Sequence, residues 1–311
     1  MNDMKIGVVL VTYNRLEKLK HALGCYSAQT YKPAYLLAID NCSDDGTAEY
    51  LEEWVNTPED FEKKLVHLPE NTGGAGGFYE GMNIAMGMDA DWIWVSDDDA
   101  YPRESAFAEL NAFYRKLKPE KLDGISAICS AVYNGGVPHL GHRNYLEVSK
   151  WKVKMIESSA EDYEKPYFRF DILSYVGSCI HKSTLEKVGL DEKDYFIYRD
   201  DQEHSIRLRK AGVMFCVTSS IVDHDTPPFD EDLVNWGKFY FKRNDFLMIK
   251  KNFPYRYFLI RFFKRYIEDV SFLSKRKPEL KKMYKEAYRD AWKGKKGLHS
   301  LYRPGWKPEE N

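Results

Sequence analysis

The sequence predicts an α/β fold: a mostly parallel central sheet flanked by helices, followed by a helical, basic C-terminal region. Two observations carry this prediction. Short unbroken apolar runs alternate with amphipathic stretches from the first residues onward, the order that right-handed βαβ units require. The polar clusters that interrupt the alternation fall just after the apolar runs, where open α/β sheets hold their ligands.

K-I-G-V-V-L-V-T (5–12) is β-branched and continuous, the pattern of a strand covered on both faces. Residues 15–28 alternate apolar and charged side chains at helical spacing. Y-L-L-A-I-D (35–40) predicts a second strand, and N-C-S-D-D-G-T (41–47) a turn and cap for a helix over 48–55. K-L-V-H-L (64–68) predicts a third strand. N-T-G-G-A-G-G (71–77) is expected to break the chain before a helix reaching about residue 88, and D-W-I-W-V (91–95) is a fourth strand. Residues 105–116 read as a helix and 124–130 as a strand, while 134–170 is irregular, aromatic and charged, an expected insertion or lid. A buried strand at 173–180, a helix at 200–212 with acids first and bases last, and a strand at 213–217 complete the first unit. The expected division is a sheet-containing domain over 1–228 and a helical region over 229–311.

With 311 residues, 43% hydrophobic and 30% charged, the chain has ample material for a core. No run approaches the roughly 20 apolar residues of a membrane-spanning helix. The N-terminus enters a strand without a signal-peptide layout, and the five cysteines are scattered without a C-x-x-C. A cytoplasmic protein with reduced thiols is expected. The net charge of −2 hides an asymmetry, because residues 238–303 hold 20 Lys and Arg against 6 Asp and Glu. Such a tail suits a polyanionic surface, nucleic acid or anionic lipid.

The glycine cluster lacks the G-K-[ST] of a P-loop and the G-x-G-x-x-G register of a dinucleotide fold. Close backbone packing and direct phosphate contact both remain open for it. The S-D-D-D-A segment (96–100) ends the fourth strand in three acids. Side chains alternate along an extended stretch, so Asp97 and Asp99 face one site and Asp98 the other. Hard carboxylate oxygens at a strand end suit Mg²⁺ or Mn²⁺, with substrate phosphates completing the shell. The bland alternative is a solvated turn.

V-V-L-V-T-Y-N-R (8–15), D-N-C-S-D-D-G-T (40–47), N-T-G-G-A-G-G-F (71–78), S-D-D-D-A (96–100) and D-D-Q-E-H-S-I-R-L-R-K-A-G (200–212) together resemble the family 2 glycosyltransferases of the GT-A fold, over about residues 4–226. The glycine form and the later acid pair look most like the bacterial galactofuranosyltransferases, with rhamnosyltransferases next. The resemblance implies a metal-dependent inverting transferase that uses Mn²⁺ or Mg²⁺. Its donor would be a UDP sugar, best UDP-galactofuranose, or alternatively dTDP-rhamnose. Its acceptor would be a glycan or lipid-linked glycan of a cell-surface polysaccharide.

It also implies roles for individual residues. Thr12, Tyr13, Asn14, Arg15, Asp40, Asn71, Gly74, Gly77, Asp97 and Asp98 would contact the nucleotide sugar. Asp97, Asp99 and His224 would hold the metal; a turn histidine bonded to Asp223 or Asp225 is the bland reading of His224. Asp201 would be the base that takes the acceptor proton, with Asp200 the fallback. Tyr198, Glu203 and Trp236 would meet the acceptor, and Tyr198-Arg199 stand where galactofuranosyltransferases carry Trp. Trp236, Tyr240, Phe241, Arg243 and Asn244 also resemble a segment near that family's site. For the aromatic, basic stretch at 253–267, packing with peripheral contact at the inner membrane face is expected rather than nucleic-acid binding. A non-catalytic nucleotide-sugar or glycan-binding protein is the competing class.

Overall fold

The computed structural model describes residues 3–117, 124–226 and 233–308. The first half alternates as expected: β1 (Ile6–Thr12), α1 (Leu16–Ser27), β2 (Tyr35–Asp40), α2 (Thr47–Val55), β3 (Glu62–His67), α3 (Gly73–Ala85) and β4 (Trp92–Asp97). β1 pairs in parallel with β2 on one side and β4 on the other, and β2 pairs in parallel with β3. Strand alternation sends Val8 and Leu10 into one apolar cluster with Trp94 and Phe107, and Val9 and Val11 into another with Phe78 and Met82. Both faces of β1 are therefore covered, which explains its unbroken apolar run.

The glycine cluster does not break the chain before a helix; it forms the first turns of α3. A Cβ at Gly77 would lie 2.6 Å from Val11 Cγ1, and one at Gly81 would lie 2.4 Å from Val9 Cγ1. These glycines let α3 lie against β1 more closely than any side chain permits. Gly73 has a left-handed φ of 73°, and a Cβ there would meet the Phe196 carbonyl oxygen at 2.0 Å.

The second half comprises β5 (Ala100–Pro102), α4 (Ala106–Arg115), β6 (Ile125–Asn134), β7 (Val137–Pro138), β8 (Arg143–Val148), β9 (Val153–Glu157), α5 (Ala160–Tyr163), β10 (Tyr167–Phe170), β11 (Ile172–Leu173), β12 (Ser178–His181), α6 (Lys182–Val188), α7 (Asp200–Ala211) and β13 (Val213–His224). The main sheet runs β10-β13-β6-β12-β4-β1-β2-β3. β12 and β10 are antiparallel to their neighbours, whereas β13 and β6 pair in parallel.

Three expectations need correction. The 134–170 stretch is not irregular: β8 and β9 form a hairpin that β11 extends to three strands, and β10 joins the main sheet. The single strand expected at 173–180 is split, with Gly177 at a φ of 64° just before β12. β13 runs well past residue 217 to His224, across a register shift between Val217 and Ile221. Its polar T-S-S interruption is accommodated because Ser220 Oγ is 2.6 Å from Ser130 Oγ and donates to the Ala106 carbonyl at 2.8 Å.

The C-terminal region is helical as expected: α8 (Gly237–Asn252), α9 (Tyr255–Val270) and α10 (Pro278–Lys293). Residues 229–232 of that expectation lie outside the described residues. Phe239, Tyr240, Phe246, Phe258, Phe262 and Tyr288 pack into one cluster that also takes in Tyr195, Phe196 and Ile206. The tail thus supports the loop and helix that carry the later acid pair. Among the described residues no helix is long and apolar enough to cross a membrane.

Candidate active site

Sheet register gathers the motif residues. Thr12 pairs with Asp40 and Val11 with Asp97, so the carboxyl ends of β1, β2 and β4 lie in one row. After Asp97 the chain turns into β5, which pairs antiparallel with the end of β13, Ala100 opposite His224. That short pairing brings His224 to the triple aspartate; its Nε2 is 3.3 Å from Asp99 Oδ1. Asp97, Asp99 and His224 each present a ligand atom within 4.8 Å of the others. Asp98 turns away: Thr12 Oγ1 donates to its Oδ2 at 2.7 Å and Arg15 to its Oδ1 at 3.2 Å.

The electrostatics differ along the triplet. Burial, with the charges of Asp99 and Asp98, pushes Asp97 well above the usual carboxylate range, and Asp200 contributes. Burial also raises Asp98, against the pull of Arg15. In Asp99, burial is overcome by the bond from His224 and by Arg15 and Lys18, leaving it below its ordinary value. Arg15 donates to Asp99 Oδ2 at 2.7 Å. Two oxygen donors and an imidazole at this spacing suit Mn²⁺ or Mg²⁺. His224 Nδ1 is buried without a protein partner.

Beside this set is a cleft of about 210 Å³, lined by Thr12, Tyr13, Arg15, Asn41, Asn71, Gly73, Gly74, Asp97, Asp98, Phe196, Trp236 and Pro304, among others. Of the residues expected to meet the nucleotide sugar, Thr12, Tyr13, Arg15, Asn71, Gly74, Asp97 and Asp98 line this cleft, and so does Trp236, which is expected at the acceptor. Three do not. Asp40 is buried behind the cleft, its carboxylate taken by His67 Nδ1 at 2.8 Å and the Ser43 amide at 3.0 Å. Asn14 binds the β2–α2 loop, donating to Asp44 at 2.7 Å and accepting from the Asp44 amide at 2.8 Å. Gly77 faces Val11. The lining residue in that region is Asn41, which donates to the Gly73 carbonyl at 3.0 Å and accepts from the Thr72 amide at 2.9 Å. It clamps the start of α3.

The acid pair opens α7 from a tightly turned loop. Phe196, Tyr198 and Arg199 all have left-handed φ, 68°, 64° and 72°. Such backbone persists only where its surroundings over-determine it. Asn244 Nδ2 supplies this, within 2.9 to 3.0 Å of the carbonyl oxygens of Tyr195, Ile197 and Tyr198. Burial raises Asp200 to about 8, with the charge of Asp201 adding, and raises Asp201 to about 6, against the Gln202 amide, Arg199 and Arg143. Asp200 is raised further than Asp201, so it keeps its proton to higher pH than its neighbour.

Tyr198 is 46% exposed at this loop. Glu203 is not available to an acceptor. It is fully buried, paired with Arg207 at 2.7 Å and Lys251 at 2.9 Å, and bonded by Asn252 at 3.0 Å. Burial alone would raise it, but Arg207 and Asn252 hold it down at about 2. Glu203 ties α7 to the end of α8. Sequence reasoning did not single out Asn41 or Pro304, and it gave Asn244 only as part of a segment resembling one near the family's site.

A Rossmann-like sheet with an aspartate cluster at the end of β4 and an acid pair at the start of α7 defines a GT-A glycosyltransferase. The chain belongs to glycosyl transferase family 2, whose profile its residues 7–172 match. It is 27% identical over 222 residues to the galactofuranosyltransferase GlfT1 of Mycolicibacterium smegmatis, covering 69% of each chain. It is 27% identical over 213 residues to GlfT1 of Mycobacterium tuberculosis H37Rv, covering 68% of this chain and 66% of that one. Among solved structures, GalNAc-T7 with UDP, GalNAc and Mn²⁺ superposes with a TM-score of 0.64 at 14% identity, over 94% of this chain and 56% of that one. Staphylococcus aureus TarS 1-349 with UDP-GlcNAc superposes with a TM-score of 0.56 at 17% identity, over 93% and 81%. These last two likenesses concern the fold.

Proposed function

We propose that the chain is a divalent-metal-dependent, inverting transferase that moves galactofuranose from UDP-galactofuranose to a glycan or lipid-linked glycan of a cell-surface polysaccharide. One observation carries the reading: Asp97, which lines the cleft and forms a ligand set with Asp99 and His224, is close enough to the acid pair for the charge of Asp200 to raise it. The donor is supported by the likeness to the mycobacterial galactofuranosyltransferases.

Asp97, Asp99 and His224 would hold Mn²⁺ or Mg²⁺, which neutralises charge on a departing diphosphate. Thr12, Tyr13 and Asn41 shape the base end of the cleft. Asn71, Gly74 and the N-terminal end of α3 face the phosphates, where helix amides favour anions. Asp201, ionised at neutral pH, takes the proton of the acceptor hydroxyl as the anomeric carbon is attacked from the face opposite the leaving group. Asp200, protonated, can donate a hydrogen bond to the same sugar, and Tyr198 and Trp236 offer aromatic planes to the acceptor.

In this reading residues 1–228 hold donor and catalytic groups, while 229–311 brace them and meet the membrane. Phe263, Ile267 and Phe272 are exposed beside Lys264, Arg265 and Lys275, a composition suited to an anionic lipid interface. The test is a panel of UDP and dTDP sugars with Mn²⁺ or Mg²⁺, scored by donor hydrolysis and thermal stabilisation. UDP-galactofuranose should respond most strongly. A response to dTDP-rhamnose alone would move the donor to rhamnose, and silence across the panel would sink the reading.

A further inference from the structure

A second, larger cavity of about 630 Å³ lies against Arg199, next to the acid pair, between the β8–β9 hairpin and helices α8 and α9. Six cationic side chains line it: Lys152, Lys154, Arg199, Arg261, Lys264 and Arg265. One carboxylate, Asp245, does so. Asp245 is already committed, since Arg261 donates to its two oxygens at 2.8 and 2.7 Å. Glu268, outside the cavity, takes Arg265 at 2.8 Å. Arg199 is poorly matched by comparison: it lies 3.6 Å from Asp245, and its buried Nε has no hydrogen-bond partner. A guanidinium withdrawn from water without a matched anion is costly, and it marks where an anion would be stabilised. Planar guanidinium groups and lysines gathered in one concavity suit phosphate oxygens in particular.

The rim is apolar. Ile260 of α9 and Trp151 at the hairpin tip line the cavity and are exposed, and Phe263 and Ile267 continue the apolar strip along α9. A cationic interior with an apolar rim fits an amphiphile whose head is a phosphate. Arg199 also joins the cavity to the chemistry, since it directly precedes Asp200 and donates to Gln202 in the first turn of α7.

We propose that this cavity binds the phosphate or diphosphate head of a lipid-borne substrate, with Arg199 linking the bound anion to the helix that carries Asp200 and Asp201. The inference rests on the reading above only in taking the α7 side as the acceptor side. Its test measures binding rather than turnover. With UDP and Mn²⁺ saturating the donor cleft, farnesyl diphosphate, inorganic pyrophosphate and phosphatidylglycerol vesicles are titrated separately against the full chain. The comparison is Lys154→Ala/Lys264→Ala, two exposed positions whose loss should leave the melting temperature unchanged.

Farnesyl diphosphate should bind more tightly than pyrophosphate, and the double variant should weaken it roughly tenfold. Weakening seen only with vesicles would still support the phosphate site and would assign it to a membrane headgroup instead. Equal affinity of wild type and variant for all three probes would overturn the proposal. Farnesyl diphosphate binding by a chain that is silent across the nucleotide-sugar panel would count against the proposed reaction and leave this site standing.

Discussion

Asn244, buried in helix α8, donates from Nδ2 to the carbonyl oxygen of Tyr198 at 3.0 Å, and the same nitrogen reaches Tyr195 and Ile197. A single side chain in the C-terminal region thereby holds the loop that aims the acid pair. Asn244→Ala leaves buried carbonyls unpaired, which costs about 1–3 kcal/mol. It also frees a loop with three left-handed residues. Thermal melting should show the lost stability, and kcat should fall by more than donor affinity does. Equal kcat in a folded variant would separate the loop from catalysis.

Asp201→Asn removes the proposed base without changing size. Transfer should fall by about 10² to 10⁴, the range of general-base contributions, while calorimetric UDP binding stays near wild type. Because the base must be ionised, kcat should decline as pH falls through about 6. A pH-independent rate across that range would exclude Asp201 from the role.

Asp200 makes the opposite statement about stability. Its folded-state value is raised to about 8 from 3.8, so the folded chain holds a proton that the unfolded chain releases. The stabilising contribution is complete below pH 4 and is lost as pH rises toward 8. In EDTA, Asp200→Asn should therefore raise the melting temperature at pH 8 and change it little at pH 4. A variant equally destabilised at both would refute this assignment of charge.

Glu203→Gln should damage the fold rather than acceptor recognition. Removing the charge leaves Arg207 and Lys251 without their buried partner, at a cost of about 3–5 kcal/mol. Where the variant remains folded, acceptor KM should be unchanged; a selective rise in KM would return Glu203 to the acceptor site.

The C-terminal segment reaches back to the donor. Tyr240 Oη donates to the Tyr302 carbonyl at 2.6 Å and accepts from the His299 amide at 3.0 Å, while Pro304 lines the cleft. Tyr240→Phe should cost about 1 kcal/mol or more of stability and weaken UDP binding. Unaltered UDP affinity would show that this segment does not shape the donor site.

The first four strands were legible because strands covered on both faces must be continuously apolar. β13 was legible only to residue 217, since its polar middle is satisfied by Ser130 across the sheet, a partner invisible in linear sequence. The 134–170 stretch hid its strands because they are short, two to six residues, and β8, β9 and β10 carry charged side chains at exposed positions. Within the candidate site, the motifs contain most of the polar residues that line the cleft. Asp40, Asn14, Gly77 and Glu203 belong to the same motifs but build the loops and packing behind it. Strand register sets Asp40, helix face sets Gly77 and Glu203, and the loop it binds sets Asn14, so residue type alone decides none of these roles. Asn244 lay inside a quoted resemblance, yet a lone Asn in a basic helix gives no sign that it will bind three carbonyls.

The placement of His224 beside Asp99 depends on a three-residue strand, and the central claim depends on that placement. Electron paramagnetic resonance of free Mn²⁺, titrated against the chain with saturating UDP, measures it most directly. The account predicts one Mn²⁺ bound per chain, with His224→Ala and Asp99→Asn each weakening binding roughly tenfold or more. Wild-type affinity in both variants would contradict it.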